Sequence, residues 1–336
     1  CNDHSSFTDK IKMSNLCQEI TLPTTPLSHI DDNCNTDAEI ALCVLSAINV
    51  GAIKLSELKD ICMNIVRALD AVIEHQSYPV GASMKMLKRR SIGVGITNLA
   101  YYLAKNNVSY EDPKACNVVD ELMEHIQYNL IKASVQLAKE KGKCEWFNRT
   151  KYSKGILPID TYSKNVDKLV TRKPKLNWDK LRKDIQKHGM RNSTLTALMP
   201  CESSSLVTNS TNGIEPPRGL LSIKKSKQGL IPQVVPEFYT LRSKYTLAYE
   251  MDNNDGYTNI VAVIQKYVDQ AISANHYYNF SKYENNNLPI SDIARDLLYA
   301  YKMGVKTLYY ANTDDGKTDK HIIEEDTSCA DGACKL

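Results

Sequence analysis

The sequence lacks the features of membrane and secreted proteins. No apolar run reaches the roughly 18 residues that a membrane-spanning helix needs, and residues 1–4 have neither the basic nor the apolar region of a signal peptide. A net charge of +3, from 42 basic and 39 acidic residues, gives no reason to expect a nucleic-acid partner. We therefore expect a cytoplasmic protein with no membrane or nucleic-acid partner. One basic cluster is expected to be a solvated helix edge: Lys85, Lys88, Arg89 and Arg90.

The ten cysteines include no pair of CxxC motifs, so a structural zinc site has little support and no metal site is expected. Structural disulfides are not expected in a reducing compartment. Most of these cysteines should be small buried hydrophobic residues, as Cys62 would be on an apolar helix face. A few are left as candidates for redox catalysis or metal binding.

The chain begins with Cys1 rather than methionine, in the middle of a pattern. We expect a fragment or a processed product, and protein splicing is one hypothesis because cysteine follows intein junctions. Mass spectrometry of the protein from its native host tests this hypothesis. A chain that always begins at Cys1, with no longer spliced form, would count against it.

Helical and extended patterns alternate along the chain, which favours an α/β fold and is compatible with a barrel. A short strand is expected at 305–310, and residues 190–235 should form short strands and loops. Residues 1–35 are expected to be irregular and 312–336 to form a flexible tail. Apolar spacing predicts helices, the first with Ser56 as its N-cap, at 56–75, 113–141, 178–188, 258–274 and 290–303.

Asn15, Cys17 and Glu19 alternate along one short segment. In an extended strand, residues at i, i+2 and i+4 point to the same side. An amide, a thiol and a carboxylate would then share one small patch. The spacing alone still favours a surface strand with one chance cysteine.

Cys329 and Cys334 flank a glycine near the end of the chain. Two cysteines in a mobile segment can carry electrons between a buried site and an external reductant by thiol–disulfide exchange. A metal-binding or inert tail is the alternative.

Residues 198–205 place three serines after a proline, where backbone N–H groups at a helix start can bind phosphate. Without context, an ordinary capped helix is the better interpretation. The adjacent Tyr309 and Tyr310 most often indicate packing.

Taken in order, these motifs resemble the large subunit of aerobic class I ribonucleotide reductases. The resemblance covers nearly the whole chain, and the ordered set is far more specific than any one motif. It rests on residues 14–17, 155–162, 191–194, 211–219 and 304–310, with the terminal dithiol after them.

The resemblance implies a ten-stranded α/β barrel made of two five-stranded halves, with a finger loop inside it. This chain would supply the C-terminal half of that barrel over 1–311, with the finger loop at about 1–25. A flexible redox tail would follow at 312–336. The first half-barrel and the nucleotide-effector sites of the family would precede this chain.

The resemblance also implies catalytic roles. Cys17 would form a thiyl radical that takes the 3′ hydrogen atom of a ribonucleoside diphosphate, and Glu19 would take the 3′-hydroxyl proton. Asn15 would hold the substrate hydroxyls. Cys43 would be one of two cysteines that reduce the substrate, its partner lying in the other half.

Further roles follow from the same resemblance. Tyr309 and Tyr310 would relay the radical, and Cys329 and Cys334 would re-reduce the active-site disulfide before thioredoxin or glutaredoxin reduces them. No cofactor would be bound by this chain, since the dinuclear iron and tyrosyl radical belong to the small subunit. A loop with a cysteine where relatives often have a small hydroxyl residue would bind the substrate phosphates: Pro200, Cys201, Glu202, Ser203 and Ser204.

The expected function is therefore reduction of ribonucleoside diphosphates to deoxyribonucleoside diphosphates for DNA synthesis. The expected partners are an N-terminal half, the small subunit and an external reductant, and the chain alone should be inactive. Two alternatives stay open. An adenosylcobalamin-dependent reductase would need no tyrosine relay, and a non-catalytic assembly fragment would need none of the cysteines.

Overall fold

The computed structural model describes residues 10–28, 37–226, 229–315 and 322–325, in which helices and strands are mixed as in an α/β protein. The described strands are β1 Val44–Asn49, β2 Ile92–Thr97, β3 Leu221–Ser226, β4 Gly229–Val234, β5 His276–Asn279, β6 Ala311–Asp314 and β7 Ile322–Glu325. The described helices are α1 Leu58–His75, α2 Met86–Arg89, α3 Leu99–Lys105, α4 Pro113–Lys141, α5 Pro158–Thr161, α6 Trp178–His188, α7 Glu202–Val207, α8 Phe238–Leu241, α9 Asp255–Gln265 and α10 Ile290–Met303.

The strands form three small sheets. β1 runs parallel to β2, and β5 runs parallel to β6. β3 pairs antiparallel with β4 and parallel with β7. No closed sheet occurs among the residues that the structure describes, so the expected half-barrel is not seen as one continuous sheet.

Further extended segments nevertheless lie beside β2, on the side away from β1. Val94 of β2 bridges to Thr196, and Leu198 bridges to Ile272, both in parallel. The chain then continues into β5, and β5 lies beside β6. Five parallel extended segments therefore follow one another across this side of the molecule.

The helices cover this extended layer with an apolar core. α4 packs against α1, α6 and α9, and α10 packs against α9. The 29-residue α4 begins with Asp112 as N-cap, whose side chain accepts from the Lys114 N–H, and with Pro113 at its first position. Its buried face includes Val119, Leu122 and Ile126, at the spacing expected of a helix stripe.

Several helix predictions are confirmed and three bounds are wrong, one of them the start of α9, which lies at Asp255 and not at residue 258. α4, α6 and α10 have the predicted limits. Ser56 is not an N-cap, because it lies inside a 3-10 turn and Glu57 precedes α1. The helix predicted at 258–274 ends at Gln265, since the residues after it bond instead to the backbone of neighbouring segments.

The predicted strand at 305–310 is also displaced, because the ladder strand β6 begins only at Ala311. β6 thus occupies residues 312–314 of the predicted tail, and β7 lies further along it. The region 190–235 does contain short strands and loops, together with the short helix α7.

The basic cluster is a solvated edge only in part: Lys85 and Lys88 are partly exposed, whereas the expectation is wrong for Arg89 and Arg90. Arg89 and Arg90 are buried, 6% and 5% exposed. Arg89 pairs with Glu39, and the Arg90 Nε lies 2.7 Å from a carboxylate oxygen of Asp70. A buried charge is tolerated because it is paired. In the described part of the chain, no helix is both long and apolar enough to cross a membrane.

Candidate active site

Residues 15–20 form a tight turn rather than an extended strand. Gln18 has a positive φ of 69°, and its N–H donates to the Asn15 carbonyl over 3.2 Å. The Asn15 Oδ1 accepts from the Ile20 N–H at 3.0 Å, which closes the turn. Asn15, Cys17 and Glu19 therefore do not alternate along an extended strand, and that prediction is wrong.

Cys17 lies at the tip of this turn and points to the tyrosine pair. Its thiol donates to the Tyr309 Oη, with 3.5 Å between sulfur and oxygen. Burial raises the pKa of Cys17, and the Glu19 and Glu202 carboxylates raise it further. The thiol is thus held protonated, with its hydrogen directed at a phenol oxygen.

Tyr309 and Tyr310 extend this contact toward solvent. The Tyr309 Oη donates to the Tyr310 Oη at 3.2 Å, and the two ring centroids are 3.9 Å apart. Burial raises the pKa of Tyr309, so its phenol stays protonated near neutral pH. Tyr310 is 48% exposed. A continuous hydrogen-bonded path therefore runs from the sulfur of Cys17 to the surface.

Glu19 is the buried carboxylate beside this thiol, only 2% exposed. Its backbone carbonyl accepts from the Ala271 N–H at 2.9 Å. The Ser273 Oγ lies 2.5 Å from the Cys17 carbonyl and 3.2 Å from the Glu19 Oε2. One serine hydroxyl therefore connects the backbone of the thiol residue to the carboxylate.

Asn15 and Glu39 are among the residues that line an open cavity of about 470 Å³. Met13 and Leu16 next to it are exposed although they are apolar. A small substrate or another chain segment would find room at this place.

Cys43 immediately precedes β1 and lies against β2. A Cβ on Gly93 would lie 2.9 Å from the Cys43 sulfur and 2.6 Å from the Leu45 Cδ2, so only glycine leaves room for this packing. The Gln270 Nε2 donates to the Cys43 sulfur at 3.5 Å. Burial raises the pKa of the Cys43 thiol to about 12, against the lowering effect of the Gln270 bond.

Residues 269–275, here called the central segment, connect both thiols. Gln270 contacts Cys43, and Ser273 contacts the Cys17 carbonyl. The Ala274 carbonyl accepts from the Tyr309 N–H at 2.7 Å, and the Asn275 Oδ1 accepts from the Tyr310 N–H at 2.9 Å. The predicted site residues Cys17, Glu19, Cys43, Tyr309 and Tyr310 thus meet along one stretch of backbone, and Asn15 does not contact it.

Asp269 anchors the central segment. Its carboxylate is fully buried and accepts from the Leu195 N–H at 2.7 Å, the Thr196 N–H at 3.0 Å and the Tyr152 hydroxyl at 2.9 Å. Burial raises its pKa to about 6, although these donors lower it.

Sequence reasoning missed Asp269, Gln270 and Ser273 because it placed them in a helix. No glycine or proline occurs between Gly256 and Pro289, so no local signal ended that helix. The only sequence sign that this segment is not a helix was the set of polar side chains within an otherwise apolar run.

The predicted phosphate loop forms the start of α7. Ser203 and Ser204 are exposed there, and Cys201 is buried. Asn212 ties the loop together, since its Oδ1 accepts from the Cys201 N–H at 2.7 Å and its Nδ2 donates to Glu202 at 2.7 Å.

Cys329 and Cys334 lie outside the described residues. Within the described ranges, no group of three or more histidine, cysteine or acidic side chains could hold a metal ion.

Known proteins resemble the chain over nearly its whole length. The family described as "Ribonucleotide reductase, barrel domain" matches residues 1–311. The alpha subunit of ribonucleoside-diphosphate reductase from Haemophilus influenzae is 52% identical over 343 residues, which cover 100% of this chain and 45% of that protein. The subunit from Buchnera aphidicola of Schizaphis graminum is 51% identical over 347 residues, with the same shares.

The alpha subunit of enterobacteria phage T4 is 44% identical over 335 residues, which cover 97% of this chain and 43% of that protein. The chain spans less than half the length of these relatives.

Proposed function

Because this chain belongs to the ribonucleotide reductase family, we propose that it is the catalytic C-terminal part of a class I large subunit. It reduces ribonucleoside diphosphates to 2′-deoxyribonucleoside diphosphates by radical chemistry. The observation that carries this proposal is the hydrogen-bonded path from the Cys17 thiol through Tyr309 to the exposed Tyr310, beside the buried Glu19.

The path suits stepwise radical transfer. A phenoxyl radical formed at Tyr310 takes a hydrogen atom from Tyr309, which then takes the hydrogen atom of the Cys17 thiol. Each transfer moves one proton and one electron across one hydrogen bond, 3.2 Å and then 3.5 Å long. The Cys17 thiyl radical that results removes the 3′ hydrogen atom of the ribose.

Glu19 and Cys43 complete the reduction. Glu19 takes the 3′-hydroxyl proton as general base while the 2′-hydroxyl leaves as water, protonated by one of the two reducing thiols. Cys43 and a cysteine of the N-terminal half give two electrons and become a disulfide, and Cys17 returns its hydrogen atom to the 3′ carbon. Asn15, which lines the open cavity beside the finger loop, holds the substrate hydroxyls.

The loop of Pro200, Cys201, Glu202, Ser203 and Ser204 binds the substrate diphosphate. Support comes from its place at the start of α7, where N–H groups have no partner within the helix. The exposed Ser203 and Ser204 hydroxyls face solvent there.

The five parallel extended segments support the assignment of residues 1–311 as the second half of a ten-stranded barrel, with a finger loop at its start. An N-terminal half supplies the other strands and the partner of Cys43. The exposed apolar residues Met13 and Leu16 beside the open cavity suit such a partner. The chain alone is then inactive.

A radical-generating small subunit is the second partner, and its dinuclear iron and tyrosyl radical supply the oxidising equivalent. It must approach Tyr310, which is the exposed end of the path. The helix α10, which leads into this region, exposes Ile290, Leu298 and Tyr301 on one side. Such an apolar face is typical of a protein contact.

Cys329 and Cys334 of the tail segment 312–336 pass electrons from thioredoxin or glutaredoxin to the active-site disulfide. The Tyr309–Tyr310 pair favours a class I enzyme over an adenosylcobalamin-dependent one, which needs no such relay. The contacts of both thiols disfavour a non-catalytic assembly fragment.

The test mixes this chain with a matching N-terminal half, the radical-bearing small subunit and dithiothreitol, and measures conversion of CDP to dCDP. We expect product from the mixture and none from this chain with the small subunit alone. Cys17→Ser, which leaves no thiol hydrogen to transfer, is expected to abolish the product.

No product despite a formed complex and an intact radical would favour the assembly fragment. Product from the mixture with Cys17→Ser would remove Cys17 from the mechanism. Survival of activity in the absence of an N-terminal half would contradict the need for that partner.

A further inference from the structure

We propose that Gln270 is a positioning residue that adjusts the reactivity of the Cys43 thiol by donating a side-chain N–H to its sulfur. The proposal rests on the proposed function only in taking Cys43 as the reducing cysteine. Gln270 was not among the predicted site residues, and it acts on the Cys43 sulfur.

The Gln270 amide has two N–H groups and three acceptors nearby. Its Nε2 lies 3.1 Å from the Ile92 carbonyl, 3.2 Å from the Thr194 Oγ1 and 3.5 Å from the Cys43 sulfur. One N–H therefore serves Ile92, and the other is directed between Thr194 and Cys43. The opposite orientation of the amide would place its oxygen against the Ile92 carbonyl, which is also an acceptor.

Gln270 is completely buried, and its Oε1 has no hydrogen-bond partner among the described residues. A buried amide oxygen without a partner costs free energy. An apolar side chain of the same size would avoid that cost. The amide is therefore better explained by what its N–H groups do, and one of them points at the thiol.

The backbone holds this amide in place. The Gln270 N–H donates to the Thr196 carbonyl at 3.1 Å, and the Gln270 carbonyl accepts from the Lys306 Nζ at 3.0 Å. The neighbouring Asp269 carboxylate is bonded to residues 195 and 196. The donor is thus fixed relative to β2 and cannot follow a moving sulfur.

An N–H that points at sulfur favours the thiolate over the thiol. When a thiolate attacks the sulfur bonded to Cys43, a new S–S bond forms and the old one breaks. Cys43 then leaves with the electron pair as a thiolate, and the Gln270 N–H stabilises that charge. A thiol whose pKa is lower leaves faster. Burial raises the pKa of Cys43 and the Gln270 bond opposes this rise.

The test measures alkylation of Cys43 in the full chain by iodoacetamide at pH 7 to 9, with the modified peptide quantified by mass spectrometry. Gln270→Met keeps the size and removes the N–H donor. Gln270→Glu keeps the shape and adds a negative charge. We expect Met to slow alkylation about tenfold or more, because a bond to a charged acceptor is lost, and Glu to slow it further.

A role in packing alone predicts the opposite sign, since a loosened site exposes Cys43 and speeds alkylation. An unchanged or faster rate in Gln270→Met would overturn the proposal. Cys17 in the same samples is the control and should keep its rate. Slower alkylation of Cys43 without dCDP formation by the complete mixture would refute the proposed function and leave the Gln270 contact established.

Discussion

Cys17 and Cys43 are two free thiols that meet the same central segment in different ways. Cys17 lies on a turn whose backbone Ser273 holds, and its sulfur contacts a phenol. Cys43 precedes a strand, and its sulfur contacts an amide and the space above Gly93. A phenol can exchange a hydrogen atom with a thiol, whereas an amide can only stabilise a thiolate. The environments therefore suit radical transfer at one sulfur and disulfide exchange at the other.

The largest expected effect comes from removing the hydrogen-atom transfer between Tyr309 and Cys17. Tyr309→Phe removes the hydroxyl that Cys17 contacts, so we expect dCDP formation by the complete mixture to fall by about a hundredfold or more, roughly 2.7 kcal/mol in barrier. Cys43 alkylation should be unchanged. Residual activity near the parent level would show that the radical reaches Cys17 by another route.

The next effect concerns Asp269, the anchor that both thiols depend on. Burial raises its pKa from 3.8 to about 6, so the folded state holds this proton more tightly than the unfolded state does. Stability from this group is present below the unfolded pKa and is lost as pH rises through 6. Asn does not titrate. The stability of the parent relative to Asp269→Asn should therefore decrease as the pH rises.

We expect that difference in unfolding free energy to fall by about 2 kcal/mol between pH 4 and pH 7. Urea unfolding of both proteins at several pH values measures it. A difference that stays constant or grows with pH would show that the hydrogen-bond donors around Asp269 outweigh its burial.

A smaller effect tests the packing at Cys43. Gly93→Ala places a methyl group against the sulfur and Leu45, so we expect a loss of stability of about 1–3 kcal/mol from overpacking. Gly95→Ala on the same strand is the comparison: its new methyl group would also be tight, 3.0 Å from the Ala197 carbonyl oxygen and 3.1 Å from the Met199 sulfur, so we expect a smaller loss there. Equal losses in urea unfolding would mean that β2 resists any side chain and that Cys43 has no special fit.

The smallest expected effect concerns the hydrogen bonds that Ser273 makes to the turn that contains Cys17. Ser273→Ala removes the hydroxyl between the Cys17 carbonyl and Glu19, and we expect dCDP formation to fall about fivefold, as for one lost hydrogen bond. Ser291→Ala, which removes an exposed hydroxyl on α10, should leave the rate unchanged. A full rate in Ser273→Ala would mean that the Ala271–Glu19 backbone bond is sufficient.

The local pattern of the sequence was enough to predict α4, α6 and α10. Their apolar stripes and their capping residues act over neighbouring turns, so no distant contact is needed to define them. The resemblance to a family supplied the site residues, and the structure brings Cys17, Glu19, Tyr309 and Tyr310 together. Residues 15–19 were predicted to be extended, and the structure has a turn there.

What the sequence by itself determined is therefore the helical layer and the residue types available for chemistry. Only the tertiary structure decided that α9 ends at Gln265 and that the central segment runs as an extended chain. Local propensity could not show this, because the bonds that hold Asp269, Gln270 and Ser273 come from residues 17–19, 43 and 194–196. Contacts between residues so far apart in the chain have no local signal, and these contacts build the site.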